Sequence, residues 1–407
     1  MNKKKAISAY LLAQGFFIFN FIGIITPIAV TNVLAGFGYK YLLTKQFRNI
    51  MISLFTLAIV YGLIHFYLGV NVVYYLRSTA YYFLLFVSSF IGFKYLQANR
   101  EYLDGVFRFS CISTFALFVI GLALYESEFS SYFWKYHDFV GTGNVFKRYQ
   151  GLAYEPSHYA LIVTPLVIYS FLKLYQDFSI KHVLLFSAVF IPALATISFG
   201  FLGAFFIGFL VVITFAYLKY RRIEQFFLLL LFTGTLGSAS VMVLNDGLSE
   251  RVGKIFGGDD TSVNGRTYQA FYLGYKCAAE RSLIFGIGAG QIKLIGEDVI
   301  RPYYSASDSE GYSKENWPVL ALPNATAETL AMYGILGLLL RFGLQFYLFI
   351  RMKVYQNYFN LFLFSFMFSY QLMGSFFTST AEAILWVMCF IPMFPQFKIT
   401  TKKDGLR

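Results

Sequence analysis

The sequence predicts an all-α polytopic integral membrane protein, and three observations lead to this prediction. Hydrophobic residues make up 57% of the 407 residues and charged residues only 13%, whereas an average soluble chain carries roughly 25% charged residues. Apolar runs long enough to cross a hydrocarbon core about 30 Å thick as helices recur along most of the chain. These runs are continuously apolar rather than alternating in polarity, which favours helices over the strands of a membrane barrel. We therefore expect a single membrane domain over residues 1–407.

Hydropathy predicts about twelve spans in succession. They cover residues 6–23, 26–43, 50–69, 79–97, 105–125, 156–173, 183–197, 200–218, 225–245, 320–340, 357–374 and 380–397. The first span follows a short basic segment, as the apolar part of a signal peptide would, but the apolar stretch continues without a small-residue cleavage site. We interpret it as an uncleaved span.

Basic residues predict the orientation of these spans. If the N-terminal lysines are cytoplasmic, alternate connections and the C-terminus share that side, and these segments are rich in lysine and arginine, as the positive-inside rule requires. The basic residues assigned to the cytoplasmic side are Lys3, Lys4, Lys5, Lys40, Lys45, Arg48, Lys94, Arg100, Arg108, Lys173, Lys181, Lys219, Arg221, Arg222, Arg341, Arg351, Lys353, Lys398, Lys402, Lys403 and Arg407. The net charge of +12 is thus mostly a topology signal, with attraction to anionic lipids as a second effect. Because the basic residues are dispersed among apolar helices, we expect membrane lipids, and no nucleic acid, as partners.

Cysteine and histidine are too sparse to suggest a metal site. The three cysteines, Cys111, Cys277 and Cys389, are scattered, and the four histidines lack the spacing of helix-borne ligands. We interpret the cysteines as packing residues. The sequence therefore predicts metal-independent chemistry without a cofactor.

Two connections on the predicted outer side are much longer than the others, at residues 126–155 and 246–319. Connections of this length are usually functional or disordered. The second is rich in aromatic residues and contains a helix-like stretch over residues 266–281. We expect the chemistry of the protein in these two loops.

The first long loop ends in a polar segment that contains Arg148, Glu155, Pro156 and His158. Proline at the first helical position and an acidic group at a helix N-terminus are consistent with a capping role for Glu155, and Arg148 can reach lipid phosphates by snorkelling. Neither explanation accounts for both residues in one loop, so a functional role is favoured, since ionisable groups at membrane depth are functional candidates. For His158, packing inside a helix is favoured over chemistry.

The second long loop contains Arg266, which precedes an aromatic-rich stretch. Its tyrosines fall on one helical face, as expected of a helix at the membrane interface. Anchoring or packing is favoured over sugar stacking for Tyr268, Tyr272, Tyr275, Trp134 and Trp317. Further on, Gly286, Gly288 and Gly290 superficially resemble a dinucleotide fingerprint, but the required βαβ context is missing and we discard that interpretation.

A third polar segment opens the tenth predicted span. Asn324 is a good N-cap residue, and Glu328 lies in the first helical turn or just past it. Capping alone could account for both residues.

Together these segments resemble the O-antigen polymerase and O-antigen ligase family of bacterial membrane glycosyltransferases. The layout is similar over most of the chain, with about twelve spans, a long outer loop near the middle and a longer one before the last three spans. The paired loop arginines of the family would fall on Arg148, in Arg-x-x-x-Leu, and on Arg266, in the Gly-Arg that opens the loop helix. The Gly-x-Gly after that helix and the next span, where Asn324 precedes Gly334 and Gly337, are also similar.

Departures from the family pattern favour its polymerase branch. Ligases have a histidine eleven positions before a glycine of the later span, where this chain has Pro323 before Gly334. Arg148 with Glu155-Pro156 is similar to the polymerases, whereas Arg266 is followed by Thr-Tyr-Gln-Ala rather than by a segment that ends in leucine. The ligase remains the nearest alternative.

The resemblance implies transfer of a growing glycan from undecaprenyl pyrophosphate to a hydroxyl of a lipid-linked repeat unit. Arg148 and Arg266 suit the stabilisation of the leaving pyrophosphate, since guanidinium groups bind phosphate oxygens bidentately. Glu155 is the first candidate for the base, and His158 is the reserve. The implied setting is the outer face of a bacterial cytoplasmic membrane, with a chain-length regulator as a further partner.

Additional residues are candidates for substrate binding. They are Arg281, Arg301, Asn324, Glu328, Tyr268 and Tyr272. Glu382, near the predicted outer end of the last span, is a further candidate to line the cavity.

Two hypotheses from other functional classes of membrane protein remain open. A flippase or other transporter of lipid-linked oligosaccharides would have a similar number of spans, but transporters often contain internal repeats, and we find none that is convincing. A structural membrane scaffold would leave Arg148, Glu155 and Arg266 without an explanation.

Overall fold

The computed structural model describes residues 3–19, 30–138, 145–220, 253, 257–258, 261–306, 322–374 and 379–399. Most of these residues are helical. The α-helices are α1 (Lys3–Phe17), α2 (Val30–Gly36), α3 (Lys45–Tyr67), α4 (Val72–Ala98), α5 (Leu103–Ala123), α6 (Ser130–Phe133), α7 (Pro156–Gln176), α8 (Ile180–Leu194), α9 (Phe199–Tyr220), α10 (Thr261–Arg266), α11 (Tyr268–Ala279), α12 (Ile292–Ala306), α13 (Ala325–Arg351), α14 (Tyr358–Tyr370) and α15 (Thr380–Cys389). Short 3₁₀ helices cover Tyr39–Leu43, Arg100–Tyr102, Val354–Gln356 and Pro395–Phe397.

Several of these helices suit a membrane. Among the described residues, six helices are long and apolar enough to cross one: Lys45–Tyr67, Val72–Ala98, Arg100–Ala123, Pro156–Gln176, Phe199–Ala216 and Ala325–Gln356. Four shorter apolar helices cover Ile7–Phe17, Ile180–Leu194, Tyr358–Tyr370 and Thr380–Cys389. The predicted helical membrane fold is confirmed at this level. The number of twelve spans stays a prediction, and the span predicted at residues 225–245 lies outside the described residues.

Helix α7 forms the centre of the bundle. In its most apolar window 94% of the residues are buried inside the protein, against at most 39% in the other five long helices. It packs against α5, α8, α9, α14 and α15. Because α7 is enclosed along its length, the side chains at its two ends are held in fixed positions.

An ionic group fixes the C-terminal end of α7. The Asp104 carboxylate forms salt bridges of 2.8 Å with Lys173 Nζ and with Arg108 Nη2. The Tyr169 hydroxyl donates to the same carboxylate at 2.8 Å, and Gln396 Nε2 donates to it at 2.9 Å. This shared acceptor ties α7 to the start of α5 and to the C-terminal 3₁₀ helix.

The first long loop contains a β-hairpin, which the all-α prediction omitted. Strands β1 (Trp134–Asp138) and β2 (Val145–Tyr149) pair antiparallel, with Trp134 opposite Tyr149. Aromatic residues in both strands suit a half-buried pleated surface. Trp134 Nε1 donates to the Gly121 carbonyl at 2.7 Å, so the packing role predicted for Trp134 is confirmed. The described part of this loop is thus docked onto the bundle.

Helix α13 is broken at Gly334, which has φ 64° and ψ −163°. The broken turn pairs with a glycine-rich loop that follows α11. In this pairing the amides of Ile287 and Gly288 donate to the carbonyls of Ala331 and Met332, and the amides of Ile335 and Leu336 donate to those of Leu283 and Ile284. Gly286, Gly288 and Gly290 all have positive φ, so these glycines serve a close backbone crossing and no dinucleotide fold is present around them.

Helix α11 confirms the helix-like stretch predicted over residues 266–281. It packs on α13 through small residues, and a Cβ atom added to Gly274 would lie 2.6 Å from the Ala327 carbonyl oxygen. Small residues allow such close approach of two helix backbones. The opposite face is exposed and contains Tyr268, Tyr272 and Tyr275, as predicted for an interfacial helix. The close packing places the N-terminal end of α11 beside the start of α13.

Candidate functional site

Glu155 and Arg266 meet at the N-terminal end of α7. Arg266 Nη2 lies 3.7 Å from Glu155 Oε1, and both side chains are partly exposed, at 38% and 26%. Glu155 occupies the N-cap position with extended backbone, yet its side chain makes no capping hydrogen bond. The carboxylate therefore faces the arginine instead of satisfying helix amides. The side-chain capping role considered for Glu155 is therefore not seen, and its predicted catalytic role stays a prediction.

The charge of Glu155 is set by opposing influences. Burial raises the pKa of Glu155, but His158, Arg266 and a hydrogen bond from Ser157 together lower it by more, so the pKa lies below the usual value of 4.5. Glu155 is therefore ionised at neutral pH. An ionised carboxylate is a hydrogen-bond acceptor only, so it can pair with Arg266 and also accept a hydrogen bond from a hydroxyl group.

We expect the contribution of this charge to stability to depend on pH. A carboxylate whose pKa is lowered by folding adds stability above its unfolded-state pKa, and this stability is lost as the pH falls through the folded-state pKa. Glu155→Gln should lower the unfolding temperature of the detergent-purified protein at neutral pH, and the difference should shrink below about pH 4.5.

Glu126→Gln is the matched control. The Glu126 side chain is 84% exposed, and its carboxylate is 3.9 Å from Lys147 Nζ. An ion pair with a solvent-exposed carboxylate at this distance adds little stability. Its unfolding temperature should follow the wild type at every pH. A Glu155→Gln difference that stays constant as the pH falls would contradict a lowered pKa for Glu155.

His158 is a buried neighbour of Glu155 in the Glu155–Arg266 pair. Its side chain is buried, and His158 Nε2 is 2.6 Å from the Tyr154 hydroxyl and 4.0 Å from Glu155 Oε2. The packing role favoured for His158 is therefore combined with polar contacts to both neighbours. We call Tyr154, Glu155, His158 and Arg266 the α7 cluster. The structure thus brings together three of the four predicted catalytic residues, Glu155, His158 and Arg266.

Asn324 holds Arg266 in place. Asn324 Oδ1 accepts hydrogen bonds from the amides of Thr326 and Ala327, which confirms the predicted N-cap of α13. Asn324 Nδ2 donates to the Arg266 carbonyl at 2.8 Å and to the Leu372 carbonyl at 2.7 Å. The side chain is fully buried. Asn324 is therefore a clamp that joins α10, α13 and the end of α14, and its predicted contact with substrate stays a prediction.

Arg148, on β2, is held by a different part of the chain. Arg148 Nε donates to the Thr196 carbonyl at 2.8 Å, and Arg148 Nη2 donates to the Ile197 carbonyl at 3.2 Å. These two carbonyls belong to the turn between α8 and α9, where Ile197 has φ 48°. The contacts fasten the hairpin to the bundle. The predicted contact of Arg148 with pyrophosphate stays a prediction.

The two other arginines predicted to bind substrate have intramolecular partners. Arg281 Nη1 donates to the Ile287 carbonyl at 3.0 Å, inside the glycine-rich loop. Arg301 pairs with Glu297 one turn earlier on the exposed surface of α12. These contacts show that Arg281 supports the backbone crossing, whereas the Arg301 pair lies at the surface.

The remaining predicted substrate contacts differ in exposure. Tyr268 and Tyr272 are 73% and 38% exposed on the outer face of α11, so both rings are accessible. Glu328 is partly buried on α13 and acts electrostatically on Tyr82, Tyr333 and Arg341. Glu328 therefore lies in the interior of the bundle.

Sequence reasoning missed a polar network inside the bundle. Arg341 Nη1 donates to Thr329 Oγ1 at 2.9 Å and Arg341 Nε to Gln371 Oε1 at 3.0 Å. Gln345 Nε2 donates to the same Gln371 oxygen at 2.9 Å. Polar residues within apolar spans are the sequence signal that could have found this network. The Glu382 side chain is buried and acts electrostatically on Arg341. Glu382 therefore lies in the same interior region of the bundle as Arg341.

Arg341 contacts a residue twelve positions earlier on the same helix. Its side chain reaches Thr329, near the start of α13, and its predicted position at the inner end of the span stays a prediction. In a straight helix twelve residues rise about 18 Å, much more than an arginine side chain spans. The break at Gly334 brings the two positions together, so Arg341 closes the bend of α13.

The described residues contain no group of three or more His, Cys, Asp and Glu side chains that could hold a metal ion. The three cysteines are buried and unpaired with one another.

Two comparisons with known proteins found no match. No protein-family model matches the chain, and no curated protein matches it significantly. The class of the molecule therefore follows from its own composition and helices, which define an α-helical membrane protein.

Proposed function

We propose that this protein is a metal-independent membrane glycosyltransferase that polymerises glycan repeat units of an O-antigen-like or capsule-like polysaccharide. The observation that supports this most is the Arg266–Glu155 contact of 3.7 Å at the mouth of the buried helix α7. It places an ionised carboxylate beside an arginine that is still 38% exposed. In the proposed reaction, Glu155 is the base and Arg266 is a cation for the leaving pyrophosphate.

The proposed reaction balances with these two groups. Glu155 accepts the proton of the acceptor hydroxyl, and the oxygen forms a bond to the anomeric carbon of the growing glycan. The bond from that carbon to the pyrophosphate oxygen breaks, and its electron pair leaves with undecaprenyl pyrophosphate. Arg266, together with Arg148, stabilises the negative charge on the leaving group, and near a low-dielectric boundary such contacts are stronger than in water.

Several residues are proposed to bind the lipid-linked oligosaccharides. Among them, the exposed rings of Tyr268 and Tyr272 remain open to a ligand or to lipid head groups. The full proposed set is Tyr268, Tyr272, Arg281, Arg301, Asn324 and Glu328. The proposed location is the outer face of a bacterial cytoplasmic membrane with both chain termini in the cytoplasm, and a chain-length regulator is a proposed partner.

The broken helix favours a transferase over a transporter. In transporters, the free ends of broken helices bind ions and substrates. Here the amides of Ile335 and Leu336 and the carbonyls of Ala331 and Met332 are paired with the glycine-rich loop. These backbone groups are therefore occupied. The ligase of the same family is the second alternative, and Pro323 in place of the ligase histidine weighs against it.

A surface-glycan gel tests the proposed function. A strain that lacks the protein should retain single repeat units and lose the ladder of longer chains. Wild type should restore the ladder at matched membrane levels, whereas Arg266→Ala, Arg148→Ala and Glu155→Gln should not. Arg351→Ala, at an exposed position on α13, is the control and should restore it.

The same gel separates the alternatives. If no repeat unit reaches the final acceptor in the deletion strain, the protein is a ligase or a flippase and the polymerase proposal is wrong. If the deletion leaves the ladder unchanged, the protein has no role in this pathway.

A further inference from the structure

Tyr154 presents an aromatic ring beside the α7 cluster carboxylate. The residue is 58% exposed, although it precedes the buried helix α7 and is adjacent to Glu155. Its ring centroid lies 4.4 Å from that of His158, with 49° between the planes. An open ring is therefore held directly next to the proposed base.

His158 fixes the position of this ring. The Tyr154 hydroxyl is 2.6 Å from His158 Nε2, and His158 itself is only 7% exposed on a helix that is enclosed on all sides. A buried imidazole needs a polar partner because an unpaired buried polar group is costly. The hydrogen bond meets this need and also limits rotation of the Tyr154 side chain.

We propose that Tyr154 forms one wall of the subsite for the acceptor sugar, with the C–H face of the sugar packed against the tyrosine ring. This inference rests on the proposed polymerase function and adds a substrate contact to the same site. Tyrosine supplies a large, rigid and amphipathic contact surface at a low cost in conformational entropy. A sugar on this ring would present its hydroxyls towards Glu155, the neighbouring residue.

A membrane-anchoring role predicts a different pattern of variants. Anchoring requires an amphipathic or apolar side chain at the interface, and leucine would retain the apolar contact. A membrane-anchoring role gives no reason for the hydrogen bond between Tyr154 and the buried His158. Sugar packing requires a flat ring, so the two roles are separated by replacing the ring with an aliphatic side chain of similar size.

The test compares Tyr154→Leu, Tyr154→Phe and Tyr154→Trp in the deletion strain, using the repeat units that the cell makes. Loss of an aromatic contact worth about 1.4 kcal/mol corresponds to about a tenfold loss of rate. We expect about tenfold less polymer from Tyr154→Leu at equal membrane levels, with near-normal polymer from Tyr154→Trp. Tyr154→Phe should fall between them because it keeps the ring and loses the hydrogen bond to His158.

Tyr132→Leu is the matched control, since Tyr132 is 64% exposed on α6. It should give wild-type polymer. Polymer from Tyr154→Leu equal to the wild type, in a background where deletion removes the ladder, would overturn the Tyr154 subsite and leave the polymerase proposal intact. An unchanged ladder after deletion would overturn both. Failure of Tyr154→Trp together with Tyr154→Leu would show that a flat ring is not sufficient and would overturn sugar packing as the role of Tyr154.

Discussion

Gly334→Ala should reduce the amount of folded protein much more than Gly343→Ala on the same helix. An added Cβ at Gly334 would lie 2.3 Å from the Ile284 carbonyl oxygen, and φ there is 64°. A non-glycine residue held in such backbone costs on the order of 1–3 kcal/mol, and the clash with backbone adds to this. We expect a large fall in membrane abundance and in the unfolding temperature of the purified protein.

Gly343→Ala is the control on the same helix. An added Cβ at Gly343 meets nothing within 4 Å, and alanine is favoured over glycine in a helix by about 1 kcal/mol. This variant should be as stable as the wild type or slightly more stable. Gly286→Ala, on the other side of the crossing, should behave like Gly334→Ala, since its Cβ would lie 2.5 Å from backbone atoms of Met332 and Tyr333. Equal stability of the Gly334 and Gly343 variants would contradict the backbone crossing.

Arg341→Gln should cause the second large loss. Arg341 closes the bend of α13 through hydrogen bonds to Thr329 and Gln371, and the buried Glu382 acts on it electrostatically. Leaving buried polar groups without such hydrogen bonds costs about 1–3 kcal/mol. We expect a marked fall in the unfolding temperature of the detergent-purified protein, with a smaller fall for Arg341→Lys.

The double variant Arg341→Gln with Glu382→Gln separates charge from hydrogen bonding. If the two charges compensate each other, the double variant should be more stable than the sum of the two single losses predicts. Arg351→Gln, at an exposed position on the same helix, should leave the unfolding temperature unchanged. Additive losses in the double variant would show that Arg341 and Glu382 are not paired.

The sequence predicted what depends on local pattern. Hydropathy gave the long helices, and the Glu155-Pro156 pair gave the start of α7, because proline is suited to the first helical position. Asn324 was identified as the N-cap of α13 for a similar local reason. These features require only neighbouring residues, so one sequence contains enough information to find them.

Other features depend on segments that are far apart in the chain. The spacing of Gly286, Gly288 and Gly290 showed only a superficial dinucleotide-like pattern, and their pairing with the turn at Gly334 could not be predicted from it. The same limit applies to Arg341, which reaches Thr329 only because the helix is broken between them. For Glu155 and Arg266, sequence suggested function for each residue but gave no contact between them. Tertiary packing decided these cases.

The enclosed helix α7 has ionic contacts at both ends, at Glu155 and at Lys173. These two positions are eighteen residue steps apart, which corresponds to a rise of about 27 Å. This is close to the thickness of a hydrocarbon core, about 30 Å. Adding or removing one residue within α7 would rotate one ionic end by about 100° relative to the other, so the length of α7 fixes the direction of the Glu155–Arg266 pair relative to the Lys173 contacts.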